Sequence, residues 1–369
     1  MVVPDAGRNW GSRCGVLRVQ PQTCCPTAHR RRTLGLITTL SRRIPADDCQ
    51  GDPRTPARLP NPTASSEGAT VGVAGLQETT AVIDARLTLP SGRAIGWAEY
   101  GDPAGYPVLY LHGWPGSRHQ GARLDMAGWV AGARVIAPER PGYGLSDFAP
   151  GWSMLDWASD LRDLAEVHQL ERFAILGTSG GGPYALACAA TLPQQVSAVA
   201  LASSVGPFDA PGLERTIATW RRLLARGMLR ARLPLRLLLW SMARRVETDP
   251  DAFLEWSAQG LPPVDREIVS QPDYRDIARR DITTALADGG RAATQDAQVL
   301  TSRWGFRLAD IQTPVHLWYG GLDPIVPPLM GRHLADALPH ATARYLPNEG
   351  HYLMVPRAVE ILRTVVTAG

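Results

Sequence analysis

Lysine is absent from this chain of 369 residues, so all 38 of its basic side chains are arginine. Without a side-chain amine, the sequence excludes Schiff-base chemistry and every mechanism that uses a lysine as nucleophile or proton carrier. The net charge of +3 is small for this length. The composition therefore gives no reason to expect a nucleic-acid partner.

Cysteine and long apolar runs are also scarce. The cysteines are Cys14, Cys24, Cys25, Cys49 and Cys188. Their positions predict no disulfide framework, no Cys–His spacing fits a zinc site, and we expect no metal or other cofactor. This usage favours a reducing, cytoplasmic location. No apolar run is long enough to cross a bilayer, so we expect no stable membrane insertion. Nothing in the composition indicates an oligomeric state.

Residues 1–78 mix Pro, Arg, Ser, Thr and Gly with little periodicity, which predicts a disordered extension or a start codon assigned too far upstream. Paired arginines in His29–Arg43 resemble those of a twin-arginine export signal. However, the apolar part of that stretch is very short, and more arginines stand where a cleavage site is needed. An export signal is the minor alternative here.

Residues 79–369 alternate between strand-like and helical segments. Two strand-like segments joined at Ser91-Gly92 predict a hairpin. Further buried strands are predicted at 107–112, 133–139, 173–178, 196–203, 314–320 and 341–347, with helices around 121–130, 154–170, 184–192, 330–338 and 358–366. A hairpin followed by β-α-β-α units predicts an α/β domain with a mostly parallel central sheet flanked by helices.

The segment at about 205–301 interrupts this alternation, because it is helical in character and contains no strand-like run. We interpret it as a helical cap inserted between two strands. Within it, Thr219–Val246 interleaves arginines with Leu, Met and Trp. That pattern suits helices whose apolar face covers an active site. It is also compatible with attachment to an anionic membrane surface or a lipid-like substrate.

The chemistry centres on Gly177-Thr178-Ser179-Gly180-Gly181, a G-x-S-x-G motif between a predicted strand and a predicted helix. That context is required of a nucleophile elbow, a sharp turn that lifts the serine hydroxyl clear of the sheet. Ser179 is therefore the candidate nucleophile. The N–H of Gly180, at the start of the helix, is a candidate donor to an oxyanion.

A second turn, Leu111–Ser117 with the sequence LHGWPGS, directly follows another predicted strand. It can place the N–H of Trp114 opposite that of Gly180, which supplies the second donor of an oxyanion hole. His112 in the same turn is a conceivable base, but we interpret it as structural.

Asp323 and His351 each follow a late predicted strand, in the segments YGGLDPIVPP and LPNEGHYLMVP. Loops at the carboxyl ends of parallel strands meet at one edge of a sheet. With Ser179 they predict a triad in the chain order Ser, Asp, His. His351 is then the base, and Asp323 orients the imidazole and stabilises it when charged.

The segments HGWPGS, ERPGYGLSD, GTSGGGPYALA, GGLDPIVPP and NEGHY together resemble landmarks of the α/β-hydrolase superfamily. The resemblance implies an α/β-hydrolase fold, with Ser179 as nucleophile, Asp323 as acid, His351 as base, and Trp114 and Gly180 as backbone donors. Ser179 stands where epoxide hydrolases and haloalkane dehalogenases have aspartate. Gly180 stands where proline iminopeptidases have tryptophan, and the lysine of hydroxynitrile lyases is missing.

These features predict a cofactor-independent serine hydrolase that cleaves a small, fairly apolar ester, lactone or thioester through an acyl-enzyme. Three alternatives stay open. The first is a hydrolase fold that binds a ligand without turnover. The second is a perhydrolase or haloperoxidase-like activity on the same triad, and the third is hydrolysis of a C–C bond. In each case the partner is a small molecule.

Overall fold

The computed structural model describes residues 83–208 and 232–368, so the predicted extension and part of Thr219–Val246 lie outside the described residues. Eight strands form one sheet: β1 (Ile83–Thr88), β2 (Ala94–Gly101), β3 (Tyr106–Leu111), β4 (Ala133–Pro138), β5 (Phe173–Thr178), β6 (Val196–Ala202), β7 (Val315–Gly320) and β8 (Ala341–Leu346). Their order is β1-β2-β4-β3-β5-β6-β7-β8. The pairs β1–β2 and β2–β4 are antiparallel and the other pairs are parallel. The predicted hairpin and mostly parallel sheet are confirmed.

Ten helices accompany the sheet in the described residues. They are α1 (Asp125–Ala131), α2 (Met154–Val167), α3 (Gly182–Thr191), α4 (Arg232–Thr248), α5 (Pro250–Ala258), α6 (Pro263–Ser270), α7 (Pro272–Ala285), α8 (Arg291–Thr301), α9 (Pro328–Ala337) and α10 (Met354–Val366). Helices α2, α3 and α9 bury apolar residues on one face of the sheet, whereas α1 and α10 cover the other. This is the arrangement expected of β-α-β units with right-handed crossovers.

The helix predicted at 121–130 differs from the observed chain. Residues Arg118–Leu124 form a 3-10 turn, and the regular helix α1 follows. The side chain of Ser117 caps the turn by accepting the N–H of His119 at 3.3 Å. Gly121 lies so close to β2 that a Cβ atom there would stand 2.6 Å from the ring of Tyr100. The tighter turn fits this close approach to the sheet.

Between β6 and β7 the described chain forms α4 to α8 and no strand, and we call residues 232–301 the helical insertion. Its helices share a small apolar core, which includes Leu239, Phe253 and Ala297 and also contains Tyr143 from the loop after β4. The boundaries of the predicted cap, at about 205 and 301, stay a prediction. Within the described ranges, no helix is both long enough and apolar enough to cross a membrane.

Candidate active site

Ser179 occupies a strained turn between β5 and α3. Its φ angle is +52°, in the left-handed region that a serine seldom adopts. The chain around it is tightly folded, since a Cβ atom at Gly177 would lie 2.8 Å from the Cα of Gly182. Only glycine fits there without a shift of the backbone. The local geometry is therefore that of a nucleophile elbow.

Asp323 and His351 lie in the loops after β7 and β8, and their side chains meet. The Nδ1 atom of His351 is 2.8 Å from Oδ2 of Asp323. The other oxygen, Oδ1, accepts the backbone N–H groups of Ile325 and Val326, each at 2.8 Å. The carboxylate is thus fixed on both sides. If Nδ1 carries the shared proton, Nε2 of the imidazole is left as an acceptor.

Ser179 and His351 line the same cavity. Among the hydrogen bonds of the described residues, however, none joins the Ser179 hydroxyl to the imidazole of His351. The structure brings the carboxylate of Asp323 against the imidazole of His351, and Ser179 lines the same cavity as His351. Catalytic contacts of this kind often tighten only when substrate binds.

The backbone around Gly180 and Trp114 offers two N–H donors. A Cβ atom at Gly180 would stand 3.2 Å from the backbone nitrogen of Trp114, so the two turns face each other closely. Within the described chain the N–H of Trp114 has no protein acceptor. Its indole Nε1 donates to the carbonyl of Ala293 on α8 at 2.8 Å, which holds the turn against the insertion. The arrangement can bind an oxyanion next to Ser179.

His112 is buried, and both of its ring nitrogens are occupied. Nδ1 lies 3.0 Å from the carbonyl of Gly113, and Nε2 lies 3.3 Å from the backbone nitrogen of Arg140. Burial and the adjacent Arg140 guanidinium hold the pKa of His112 well below its usual range. A neutral imidazole with both nitrogens engaged supports the structural interpretation of this residue.

A buried ion pair between Arg140 and Asp296 joins the turn Leu111–Ser117 to the helical insertion. Asp296 on α8 accepts Nε of Arg140 and the hydroxyl of Tyr143, both at 2.9 Å, and the hydroxyl of Tyr184 on its other oxygen. Arg140 also donates to the carbonyl of His112 at 2.6 Å. Burial raises the pKa of both tyrosines well above the usual range, so they stay neutral donors. The segments ERPGYGLSD and GTSGGGPYALA contain Arg140, Tyr143 and Tyr184, but no sequence pattern predicted their contact with Asp296.

Asp265 on α6 is a second residue that the sequence did not reveal. It is fully buried, and its carboxylate accepts the backbone N–H groups of His351 at 2.8 Å and Tyr352 at 3.1 Å. The approach is close, since a Cβ atom at Gly350 would stand 2.1 Å from Oδ2 of Asp265. The loop that carries the candidate base is therefore held by the insertion.

We expect Asp265→Ala to lower kcat on a good ester substrate by about 10²-fold with little change in KM. The loss of Asp265 lets the loop of His351 shift, and even a small displacement of a catalytic group slows the reaction. Asp265→Asn retains an acceptor oxygen and should recover part of the loss. Asp276→Ala is the matched control, since Asp276 lies on α7 and its side chain is 61% exposed. Steady-state kinetics and melting curves check this. A lowered Tm with an unchanged kcat contradicts a positioning role.

The cavity beside Ser179 has a volume of about 410 Å³, which suits a small ligand. Much of its wall is apolar and comes from the insertion: Met242, Phe253, Leu254, Leu261, Val269 and Ile282. Its polar lining includes Gln120, Arg123 and Asp281 near the triad residues. In the described part of the chain, no group of three or more His, Cys, Asp or Glu side chains could hold a metal ion.

The chain has relatives among known proteins. A non-heme chloroperoxidase from Streptomyces lividans is 34% identical over 123 residues, which are 33% of this chain and 45% of that protein. A pimeloyl-acyl-carrier-protein methyl ester esterase from Chromobacterium violaceum is 26% identical over 268 residues, 71% of this chain and 93% of that protein. The chain thus spans less than half the length of the first of these relatives and most of the second.

Among solved structures, an enol-lactonase from Burkholderia xenovorans LB400 superposes with a TM-score of 0.56 at 17% identity. The match covers 77% of this chain and 98% of that one, which shows the fold. The family model described as alpha/beta hydrolase fold matches residues 106–358, more than half of the chain. The chain belongs to the α/β hydrolase fold family.

Proposed function

We propose that the protein is a serine hydrolase that cleaves a small, fairly apolar ester, lactone or thioester through an acyl-enzyme. The observation that carries the proposal is that Ser179 and His351 line one cavity while Asp323 contacts the imidazole of His351. Ser179 stands on the strained turn, and the imidazole of His351 is held by Asp323 at 2.8 Å. A weak nucleophile, a base and a group that orients the base are the parts that acyl transfer requires.

In the first step the Ser179 hydroxyl attacks the acyl carbon while Nε2 of His351 takes its proton. The negative charge on the carbonyl oxygen is stabilised by the N–H groups of Trp114 and Gly180. Collapse of the tetrahedral intermediate breaks the acyl–oxygen or acyl–sulfur bond. The proton on His351 passes to the leaving group, and the acyl group remains on Ser179.

In the second step water attacks the acyl-enzyme, and His351 again serves as base. The same two N–H donors stabilise the second tetrahedral intermediate, and Ser179 leaves with the proton from His351. Asp323 keeps the imidazole in the tautomer that both steps require and stabilises its charged form. The proton of the Ser179 hydroxyl departs with the leaving group, and the proton that His351 takes from water restores the hydroxyl, so the cycle closes on these residues and water alone.

The cavity supports the choice of substrate. A volume of about 410 Å³ leaves room for a short acyl or alcohol group, and the apolar side chains of the insertion favour hydrocarbon over polar groups. Ester hydrolysis is also the activity named for the Chromobacterium relative that aligns over most of its length.

The proposal is tested with a fluorophosphonate probe and p-nitrophenyl esters of increasing acyl length. We expect the probe to label Ser179 once per chain. We also expect kcat/KM to rise from acetate to medium acyl chains and to fall for long chains, because the cavity is small. Labelling without turnover indicates the binding-protein alternative. Absence of both labelling and turnover contradicts the proposal.

A second candidate function is peroxide-dependent acyl chemistry on the same residues, favoured by the similarity to the Streptomyces chloroperoxidase. Hydrogen peroxide in place of water would release a peracid from the acyl-enzyme, and the peracid would oxidise a halide. Halogenation of monochlorodimedone in acetate buffer with peroxide and bromide measures this activity. Loss of the halogenation in Ser179→Ala would attribute it to the same site.

A further inference from the structure

Arg123, in the turn before α1, is a buried cation on the wall of the cavity that holds Ser179 and His351. Only 9% of its side chain is exposed. The guanidinium lies over the ring of Tyr274, 4.5 Å from the ring centre. This contact with a side chain of α7 fixes the position of the charge through the face of the ring.

The guanidinium of Arg123 has five N–H donors, and in the described part of the chain none of them makes a hydrogen bond. Its Nε is fully buried and has no partner there. The nearest acid is Asp281, whose Oδ2 is 3.8 Å from Nη2 of Arg123, beyond hydrogen-bond distance. A guanidinium that lies on the cavity wall with only 9% of its side chain exposed and with unused donors favours an acceptor inside the cavity.

Asp281 does not supply that acceptor, because it lies beyond hydrogen-bond distance and its oxygens already accept other donors. Oδ1 accepts the N–H of Ser117 at 2.7 Å and its hydroxyl at 2.9 Å, and Oδ2 accepts Nε2 of Gln120 at 2.8 Å. Burial raises the pKa of the Asp281 carboxyl despite the nearby guanidinium. The donors of Arg123 are therefore left for a molecule inside the cavity.

We propose that Arg123 binds a carboxylate of the substrate, at a distance from the acyl group that Ser179 attacks. The natural substrate is then an ester, lactone or thioester whose acyl or alcohol part ends in a carboxylate. This assignment rests on the proposed function and adds the substrate class to it. The planar fork of a guanidinium matches a carboxylate with two parallel hydrogen bonds.

A singly charged carboxylate fits this site better than a phosphate. Arg123 and Asp281 carry opposite charges and lie side by side. A bound carboxylate would therefore give Arg123, Asp281 and the ligand a net charge of about −1, whereas a phosphate dianion would give them about −2. Two uncompensated negative charges in a buried site are costly. The apolar side chains of the insertion suit the hydrocarbon that would join the carboxylate to the reacting acyl group.

The test compares monomethyl esters of dicarboxylic acids with methyl alkanoates of the same chain length, followed by proton release in a pH-stat. For the best chain length, we expect kcat/KM of the wild type to be about tenfold or more higher for the acid-ended ester, the effect of one charge-assisted contact. In Arg123→Met the ratio should fall to one or below. In Arg123→Lys, which keeps the charge and loses the fork, it should be intermediate.

Arg275→Met is the matched control. Arg275 also lines the cavity, but its side chain already donates to Glu255 at 3.2 Å, so the wild-type ratio should persist in this variant. A wild-type ratio of one or below overturns the proposal, and so does an unchanged ratio in folded Arg123→Met. If Arg123→Met does not fold, the kcat/KM ratios of the wild type and of Arg123→Lys are compared. A lower ratio in Arg123→Lys supports the proposal, and equal ratios in the two proteins contradict it. Failure of the wild type to hydrolyse p-nitrophenyl acetate counts instead against the proposed function.

Discussion

Ser179→Ala and His351→Ala are each expected to lower kcat on p-nitrophenyl acetate by about 10⁶-fold, because the members of a triad act as a unit. The double variant should be no worse than either single one. Asp323→Asn should cost about 10⁴-fold, since Asp323 holds the imidazole of His351 at 2.8 Å and sets its tautomer. Burst and steady-state kinetics on purified protein measure these losses.

His340→Ala is the control for removal of a histidine, because His340 is exposed and lies next to β8. Its activity should match that of the wild type. If Ser179→Ala is inactive while His351→Ala keeps most of its activity, then His351 is not the base. The next residue to test would be His112, although its ring nitrogens lie at hydrogen-bond distance from Gly113 and Arg140.

Asp296→Ala should reduce the free energy of unfolding by about 3–5 kcal/mol, because it leaves the buried Arg140 guanidinium without its counter-charge. The hydroxyls of Tyr143 and Tyr184 lose their acceptor as well. For a domain of this size, we expect Tm to fall by about 10 °C. Urea unfolding followed by tryptophan fluorescence, and calorimetry, measure the two quantities.

Glu247→Ala is the matched control, since Glu247 pairs with Arg244 on the surface of α4 with 67% of its side chain exposed. Such a pair contributes about 0–1 kcal/mol. The double variant Arg140→Met with Asp296→Leu should be more stable than Asp296→Ala alone, because no charge is left unpaired in the interior. Equal stability of Asp296→Ala and Glu247→Ala would contradict this role for the pair.

The strands and the candidate triad could be predicted because their signals are local. Short apolar runs mark the strands, and Ser179, Asp323 and His351 each follow one of them within a few residues. The order of the chain then places these residues at one edge of a parallel sheet. The helix at 121–130 was less well predicted, since its first half is a 3-10 turn shaped by contact with β2.

Asp265, Asp296 and Arg123 could not be found in this way. Asp265 meets the backbone of His351 across 86 positions of sequence, and Asp296 meets Arg140 across 156. These contacts depend on how the helices of the insertion rest on the sheet, which no short pattern encodes. Arg123 is one of 38 arginines, and only its burial distinguishes it from those that face water.

The contact between Asp265 and the loop of His351 limits how the insertion can be exchanged or moved. If the helical insertion swung away as a rigid body, two hydrogen bonds from backbone N–H groups to the Asp265 carboxylate would be exchanged for bonds to water, at a cost of about 1.5–3 kcal/mol each. Entry of substrate by motion of side chains at the mouth of the cavity therefore costs less free energy than displacement of the whole helical insertion. A different insertion grafted onto this sheet would need an acceptor in place of Asp265 for the backbone N–H of His351.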